Sequence, residues 1–336
     1  MYHTFFGIQS DPFSMAADPK VLFLNWQHRE ALAGLVYSIL SHRGLVVLTG
    51  EAGTGKTTLL SRACEHIPQS RIQRSVILHS TLNTEDFLEL TLADFGVADV
   101  PPSKAQRLLC LKRALLAGDR QGKISVLIID EAHKLSLEVL EEVRLLGNLE
   151  QDGAKLLQIA LAGQNELNEM LERHDLRQLK QRIAVRLKLD PLSAGEIERY
   201  IEYRWQKSGG ERHPFSRPAM DCIIQWSRGI PRVINSICDN SLLIAFAQDS
   251  RSITDAHVRE ACTDLRLVRD GASPATASVS RPVAAAPAAG KESSIGPIFG
   301  QAGAPTGEPC AAAPEAESRL KRWFGRGHQF GNAKVS

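Results

Sequence analysis

Apolar residues fall into two kinds of run over the first 190 positions. Five runs are short, nearly unbroken and β-prone: Leu45–Leu48, Ser75–Leu78, Ser125–Ile129, Leu156–Leu161 and Val185–Leu189. Helical patterns lie between them. A strand that is apolar at nearly every position leaves no face for water, so both faces must be covered. Alternation with helices therefore predicts an α/β fold with a parallel sheet between two helical layers. After Pro191 the strand-like runs stop. Ser193-Ala194-Gly195-Glu196 has capping-box spacing and predicts a helix to about Lys207. Ser216-Arg217-Pro218 opens a second helix through Trp226, Pro231 a third to Ala247, and Thr254 a fourth that ends near Leu267.

This pattern divides the chain into an α/β domain over 41–190 and an all-helical lid domain over 191–268. An N-terminal segment over 1–40 carries Phe5, Phe6, Phe13, Phe23 and Leu24, too many apolar groups for a free tail. It is expected to pack on the edge of the sheet domain, either closing over a bound base or serving only as core. Residues 269–336 are rich in Ala, Pro, Gly and Ser and are expected to stay disordered. They end in a short basic cluster, Arg319-Leu320-Lys321-Arg322-Trp323-Phe324-Gly325-Arg326. A docking peptide and a solvated tail are the two readings, and the brevity of the cluster favours the second.

Composition narrows the classes. At 336 residues the chain has room for about two domains. An apolar content of 43% suffices for a full core, and a net charge of +2 implies no global attraction to nucleic acid or membrane. Six cysteines (Cys64, Cys110, Cys222, Cys238, Cys262 and Cys310) are scattered with no C-x-x-C pair. Free thiols in a reducing compartment fit better than a metal site or a disulfide framework. The N-terminus lacks a basic region followed by an apolar stretch, and no run reaches the roughly 18 apolar residues of a membrane span. A cytoplasmic protein without a transmembrane segment is expected.

The first candidate chemistry follows the first strand. Gly50-Glu51-Ala52-Gly53-Thr54-Gly55-Lys56-Thr57 is a G-x-x-x-x-G-K-[ST] phosphate-binding loop, and a helical run beginning with Thr58 follows it. The glycines let backbone N–H groups approach phosphate oxygens, and the following helix points its positive end at the anion. Lys56 is expected to reach the β- and γ-phosphates of ATP, and the Thr57 hydroxyl to hold Mg²⁺. Residues 50–58 are thus the expected nucleotide cradle. The third strand ends in Asp130-Glu131. Asp130 is placed to bind Mg²⁺ and Glu131 to polarise the attacking water as general base. The string Asp130-Glu131-Ala132-His133 also occurs in helicases, but no arginine-rich helicase segment accompanies it.

Three further positions complete a γ-phosphate sensing set. Gln164, ahead of Asn165, is an amide at the end of the fourth strand run that could orient water; capping the next helix is its structural alternative. Arg182, ahead of Arg177, precedes the last strand and is a candidate arginine finger for a neighbouring subunit; an arginine that only solvates an exposed helix is the alternative. Gly229-Ile230-Pro231-Arg232 begins the third lid helix, from which Arg232 could reach the γ-phosphate.

Taken together, these residues resemble the AAA+ ATPases, and more narrowly the ExeA type, the general secretion pathway protein A ATPases. The narrower likeness rests on Phe5-Phe6-Gly7, Asp11-Pro12-Phe13-Ser14, His28-Arg29-Glu30-Ala31-Leu32, Leu48-Thr49-Gly50-Glu51, Asp130-Glu131-Ala132-His133-Lys134-Leu135, Leu146-Gly147-Asn148-Leu149-Glu150 and Leu161-Ala162-Gly163-Gln164. It spans about residues 1–268. Asn165 stands where the family more commonly has proline. The resemblance implies a homo-oligomeric hydrolase of Mg·ATP that drives assembly or remodelling of secretion, pilus or exopolysaccharide machinery. An envelope or secretion-apparatus protein is the implied partner, and peripheral attachment at the inner membrane is compatible with it. This sequence has no transmembrane segment or peptidoglycan-binding domain, so direct action on the cell wall is not expected. A DNA-associated ATPase of the transposition type, with DNA the less favoured partner, and a nucleotide-bound scaffold are the alternatives.

Overall fold

The computed structural model describes residues 2–16, 18–78 and 81–267. A short helix α1 (Tyr2–Phe6) precedes α2 (Trp26–Leu40). The α/β part then runs β1 (Leu45–Gly50), α3 (Lys56–Glu65), β2 (Ile72–Ile77), α4 (Thr84–Asp94), α5 (Lys104–Arg120), β3 (Ile124–Ile129) and α6 (Leu137–Leu146). A two-stranded antiparallel hairpin, β4 (Glu150–Gln151) and β5 (Ala154–Lys155), leads to β6 (Leu157–Gly163), α7 (Glu166–Leu171), α8 (Arg177–Lys180) and β7 (Ile183–Leu189). Four helices follow: α9 (Ala194–Lys207), α10 (Arg217–Ser227), α11 (Pro231–Ala247) and α12 (Asp255–Asp264).

The main sheet is parallel, with strand order β2-β3-β6-β1-β7. Its apolar strands send alternate residues to opposite faces, as the pleat requires. Leu45, Val47, Leu127, Ile129, Leu157, Ile159 and Leu161 join the core under α4, α5 and α6. Val46, Leu48, Val126, Ile128, Ala160 and Ala162 join the core under α2 and α3. Edge strand β7 instead alternates partly buried Val185 and Leu187 with exposed Arg186 and Lys188, a charged edge that discourages further strand pairing.

The N-terminal segment departs from expectation. Only α2, through Ala31, Leu32, Leu35 and Ile39, and the preceding Leu22 and Leu24 pack on the sheet core. Tyr2, Ile8 and Phe13 are buried in the helical lid, and Phe6 and Phe23 pack against the same cluster. Phe5 meets Phe246 of α11 at a ring-centroid distance of 5.4 Å. Arg204 of α9 holds the segment through Nε to the Pro12 carbonyl at 2.6 Å. The reason is surface area: four helices alone enclose a small core, and Tyr2, Phe6, Ile8, Phe13 and Phe23 add apolar surface to it. Smaller departures concern boundaries. Strands β2 and β7 begin earlier than expected, and β6 begins one residue later and extends to Gly163. The basic cluster 319–326 and Cys310 lie outside the described residues. Among the described residues, no helix is long and apolar enough to cross a membrane.

Gly229 sets the turn into α11. Its φ is +78°, and a Cβ there would lie 2.1 Å from the Leu192 carbonyl oxygen, whose residue's N–H donates back to the Gly229 carbonyl at 2.8 Å. Gly229→Ala should cost about 3 kcal/mol by combining a left-handed backbone penalty with a backbone clash. Thermal unfolding checks this; an unchanged melting temperature would mean that the turn relaxes freely.

Candidate nucleotide-binding site

Register brings the functional strand ends level. Thr49 of β1 pairs with Gly163 of β6, and Ile129 of β3 pairs with Leu161. The carboxyl ends of β1, β6 and β3 therefore open onto one crevice, the place where ligands bind in open parallel sheets. A cavity of about 370 Å³ lies there, within the range of small-molecule sites. The loop 52–58, Glu131, Gln164 and Arg232 all line it.

The loop geometry follows from its glycines. Gly53 and Gly55 take φ of +85° and +97°, where a side chain would be strained. A Cβ on Gly53 would stand 2.7 Å from the Cβ of Arg232, so only glycine lets the lid approach. Helix α3 starts at Lys56 with Gly55 at its N-cap and no side-chain cap. Its first N–H groups are thus left for an anion.

Lys56 is 5% exposed, and its Nζ donates to the carbonyls of Gly50 at 2.8 Å and Glu51 at 2.9 Å. Burial holds its pKa below the ordinary lysine value, against the pull of Asp130, Glu131, Glu166 and Glu51. A buried ammonium that makes do with loop carbonyls is suited to a phosphate. The Thr57 hydroxyl donates to the Asp130 carboxylate, which also accepts the Glu131 N–H at 2.9 Å. Asp130 is buried at 6% exposure. Among the described residues, no group of three or more His, Cys, Asp or Glu side chains could hold a metal unaided. One carboxylate with one hydroxyl fits Mg²⁺, which takes its remaining ligands from phosphates and water.

Glu131 sits in the left-handed region at φ +53°, a strained setting for a side-chain-bearing residue. Its carboxylate lies 3.1 Å from Lys134 Nζ and 3.7 Å from His133 Nε2. Partial burial would raise its pKa, but the Lys134 hydrogen bond and the charges of Lys134 and Lys56 outweigh it and keep the acid ionised. Sequence reasoning missed His133 as part of the site. The Gln164 backbone N–H donates to His133 Nδ1 at 3.3 Å, which puts the ring proton of a neutral imidazole on Nε2. The Gln164 side-chain amide lies 3.4 Å from that Nε2, and turning its oxygen there completes a bond. The histidine thus ties the acid on β3 to the amide after β6. The signal was the string 130–133 itself, which marks helicases and the ExeA type alike but by itself gives His133 no role. Asn165 is exposed and is the N-cap residue of α7.

The cavity is also lined by apolar Met15, Val21, Leu22, Phe23 and Leu192 and by Tyr200, with Ser14, Asp18, Arg204 and Asn235 among them. Here the N-terminal segment does reach the cleft, although its anchoring is to the lid. Arg232 lines the cavity, and its backbone N–H donates to the Gly53 carbonyl at 3.3 Å. Arg182 lies elsewhere: it is exposed and lines a separate hollow of about 240 Å³ with Arg43, Arg144 and Lys155, by the amino ends of the strands. It does not meet its own phosphate loop. Arg177, on α8, is also exposed.

Fold and site together define a P-loop protein of the AAA+ class. The AAA domain family matches residues 39–171. Within that class the chain belongs to the ExeA-like AAA+ ATPases: it is 40% identical over 271 residues to General secretion pathway protein A of Aeromonas hydrophila. The match covers 80% of this chain and 49% of that relative, so the chain spans about half the relative's length. Similar folds occur in the ORC2 protein of Aeropyrum pernix in ADPNP-ADP complexes (TM-score 0.57, 20% identity, covering 76% of this chain and 72% of that one). The Drosophila ORC bound to DNA is similar too (TM-score 0.55, 17% identity, covering 80% and 65%).

Proposed function

We propose that this chain binds Mg·ATP and hydrolyses it to ADP and phosphate, and that it works as a homo-oligomer. The observation that carries the reading is the convergence of Lys56, Thr57–Asp130 and Glu131 on one cleft whose far wall is the lid. When bound, Mg·ATP supplies the γ-phosphoryl group and the counter-charge for it. Lys56 neutralises phosphate charge, and Thr57 with Asp130 holds the metal. Glu131 orients a water and accepts its proton, for which its bond to Lys134 must loosen. Gln164, steadied by His133 and lining the same cavity, helps to fix that water. Arg232 senses the triphosphate from the lid. Because Arg182 faces away from its own loop, its role is to complete a neighbour's site, where a cation stabilises the developing charge.

The similarity to General secretion pathway protein A supports the further reading that turnover drives assembly or remodelling of secretion or envelope machinery, from the cytoplasm or the inner-membrane surface. The absence of a membrane-crossing helix among the described residues is compatible with either place.

A mixing experiment tests the oligomeric site. Arg182→Ala should lower turnover about a hundredfold, the scale of losing one transition-state donor, while nucleotide affinity is kept. Adding Lys56→Ala chains, inactive alone but with Arg182 intact, should restore part of the activity in mixed oligomers. Full activity of Arg182→Ala alone, or no rescue on mixing, would assign the finger to another residue. No Mg·ATP turnover by the wild-type oligomer would remove the enzymatic reading.

A further inference from the structure

A second seam joins the phosphate loop to the lid, apart from Arg232. It runs from the Thr54 carbonyl through His28 and Asn25 to Glu196 in the first turn of α9. His28 Nε2 lies 3.2 Å from the Thr54 oxygen, and His28 Nδ1 lies 2.6 Å from Asn25 Oδ1. Asn25 Nδ2 donates to Glu196 Oε1 at 2.9 Å. Glu196 Oε2 accepts from the Ser193 N–H at 2.9 Å, one half of the capping box of α9, and from the Ser193 hydroxyl at 2.8 Å. Asn25, His28 and Glu196 are 7%, 3% and 8% exposed.

Donor counting along this chain leaves one proton missing. An ionised carboxylate only accepts, so the Asn25 amide must turn its NH₂ toward Glu196. Its oxygen then faces back toward His28, where it also accepts the His28 backbone N–H at 2.9 Å. Nδ1 of His28 must therefore carry a proton. A neutral imidazole has none left for Nε2, yet Nε2 faces a second acceptor, the Thr54 carbonyl. Two acceptors on one buried ring suit the imidazolium form.

We infer that nucleotide binding draws a second proton onto His28, so that its Nε2–H donates to the Thr54 carbonyl and joins loop and lid in one continuous hydrogen-bonded strut. The inference rests on the cleft being the nucleotide site. The proton comes from solvent and adds to Nε2; no other bond changes. Without nucleotide, burial holds the pKa of His28 below the ordinary histidine value, although the Thr54 carbonyl and Glu196 pull it up. Lys56, Arg204 and Arg232 around the cleft oppose a second positive charge, while Asp18, Glu131 and Glu196 favour it. His28 lines the same cavity as the loop, so a polyphosphate adds several negative charges to its surroundings and tips this balance. His28 acts here as a positioning residue, linking the shape of the loop to the first lid helix.

The test is calorimetric titration of the full chain with Mg·ADP at neutral pH, in two buffers of different ionisation enthalpy. The nucleotide's own protonation is common to all variants and cancels between them. Wild type should take up on the order of half a proton more than His28→Gln, within about pH 6 to 8, where histidine titrates. Glu196→Gln, which removes the favouring charge, should fall between them. His28→Gln should still bind Mg·ADP, roughly tenfold more weakly, since it loses a charge-assisted hydrogen bond. Hydrogen exchange in residues 193–197 should slow on Mg·ADP binding in wild type and less so in His28→Gln. Equal proton counts in wild type and His28→Gln, with binding intact in both, would overturn the coupling alone. No Mg·ADP binding by wild type at any pH would overturn the nucleotide-site reading beneath it.

Discussion

Replacing Lys56 by alanine is expected to weaken Mg·ATP and Mg·ADP binding about a thousandfold, ~4 kcal/mol, the scale of truncating one partner of a desolvated charge pair. The ammonium is already buried at the mouth of α3 and donates to the carbonyls of Gly50 and Glu51. A phosphate oxygen is a stronger partner, and no neighbouring cation in the loop can replace Lys56. Loss of binding must be separated from loss of fold, and the direction of the pKa shift does that. A lysine whose pKa is lowered by folding destabilises the folded chain wherever it is protonated, which includes neutral pH. Deleting it removes that cost while leaving two loop carbonyls short of a donor. The two effects oppose each other, so Lys56→Ala should melt close to wild type. Saturating nucleotide should then raise the melting temperature of wild type, by linkage of about 2.7 kcal/mol at a hundred times Kd, and leave that of the variant unmoved. A variant that binds like wild type would show that the cavity takes its ligand without the loop.

How much of this site could be read from the chain alone depends on sequence distance. The phosphate loop and the acid pair were legible because their chemistry is local. A turn that presents several N–H groups needs glycines within a few residues, and the metal-binding acid must end a strand. The sheet was legible because its central strands, covered on both faces, read as short and mostly apolar runs, with Ser125 and Gln158 as buried exceptions. The packing of the first 24 residues was not legible, since the bond from Arg204 to Pro12 spans 192 positions and that from Tyr2 to Asp239 spans 237. No periodicity in Phe5, Phe6 or Phe13 says which of two domains will take them. The Asn25–Glu196 contact, across 171 positions, was hidden for the same reason: Glu196 was recognised as half of a capping box, and its second oxygen had no visible use. The β4–β5 hairpin, with two residues per strand, is too short to show an alternation at all. For the N-terminal segment and for the Asn25–Glu196 contact, the missing quantity was a long-range partner.

Replacing Glu131 by glutamine should separate binding from chemistry. Glutamine has nearly the same shape and tolerates the left-handed backbone no worse than glutamate, so the turn after β3 should survive. It cannot accept a proton, and turnover of Mg·ATP should fall about a thousandfold, within the range expected of a positioned general base. Affinity should move the other way or not at all. Glu131 is an ionised carboxylate in the same cavity as Lys56, and neutralising it removes repulsion toward the triphosphate. The variant should therefore keep ATP, unhydrolysed, through gel filtration, whereas Lys56→Ala should keep none. Loss of the charge also frees Lys134, whose Nζ now rests on Glu131. If Lys134 restrains the acid between turnovers, Lys134→Ala should raise basal turnover, and in the Glu131→Gln background it should change nothing. Retained turnover in Glu131→Gln would move the general base elsewhere, to another group that can reach a water from the strand ends.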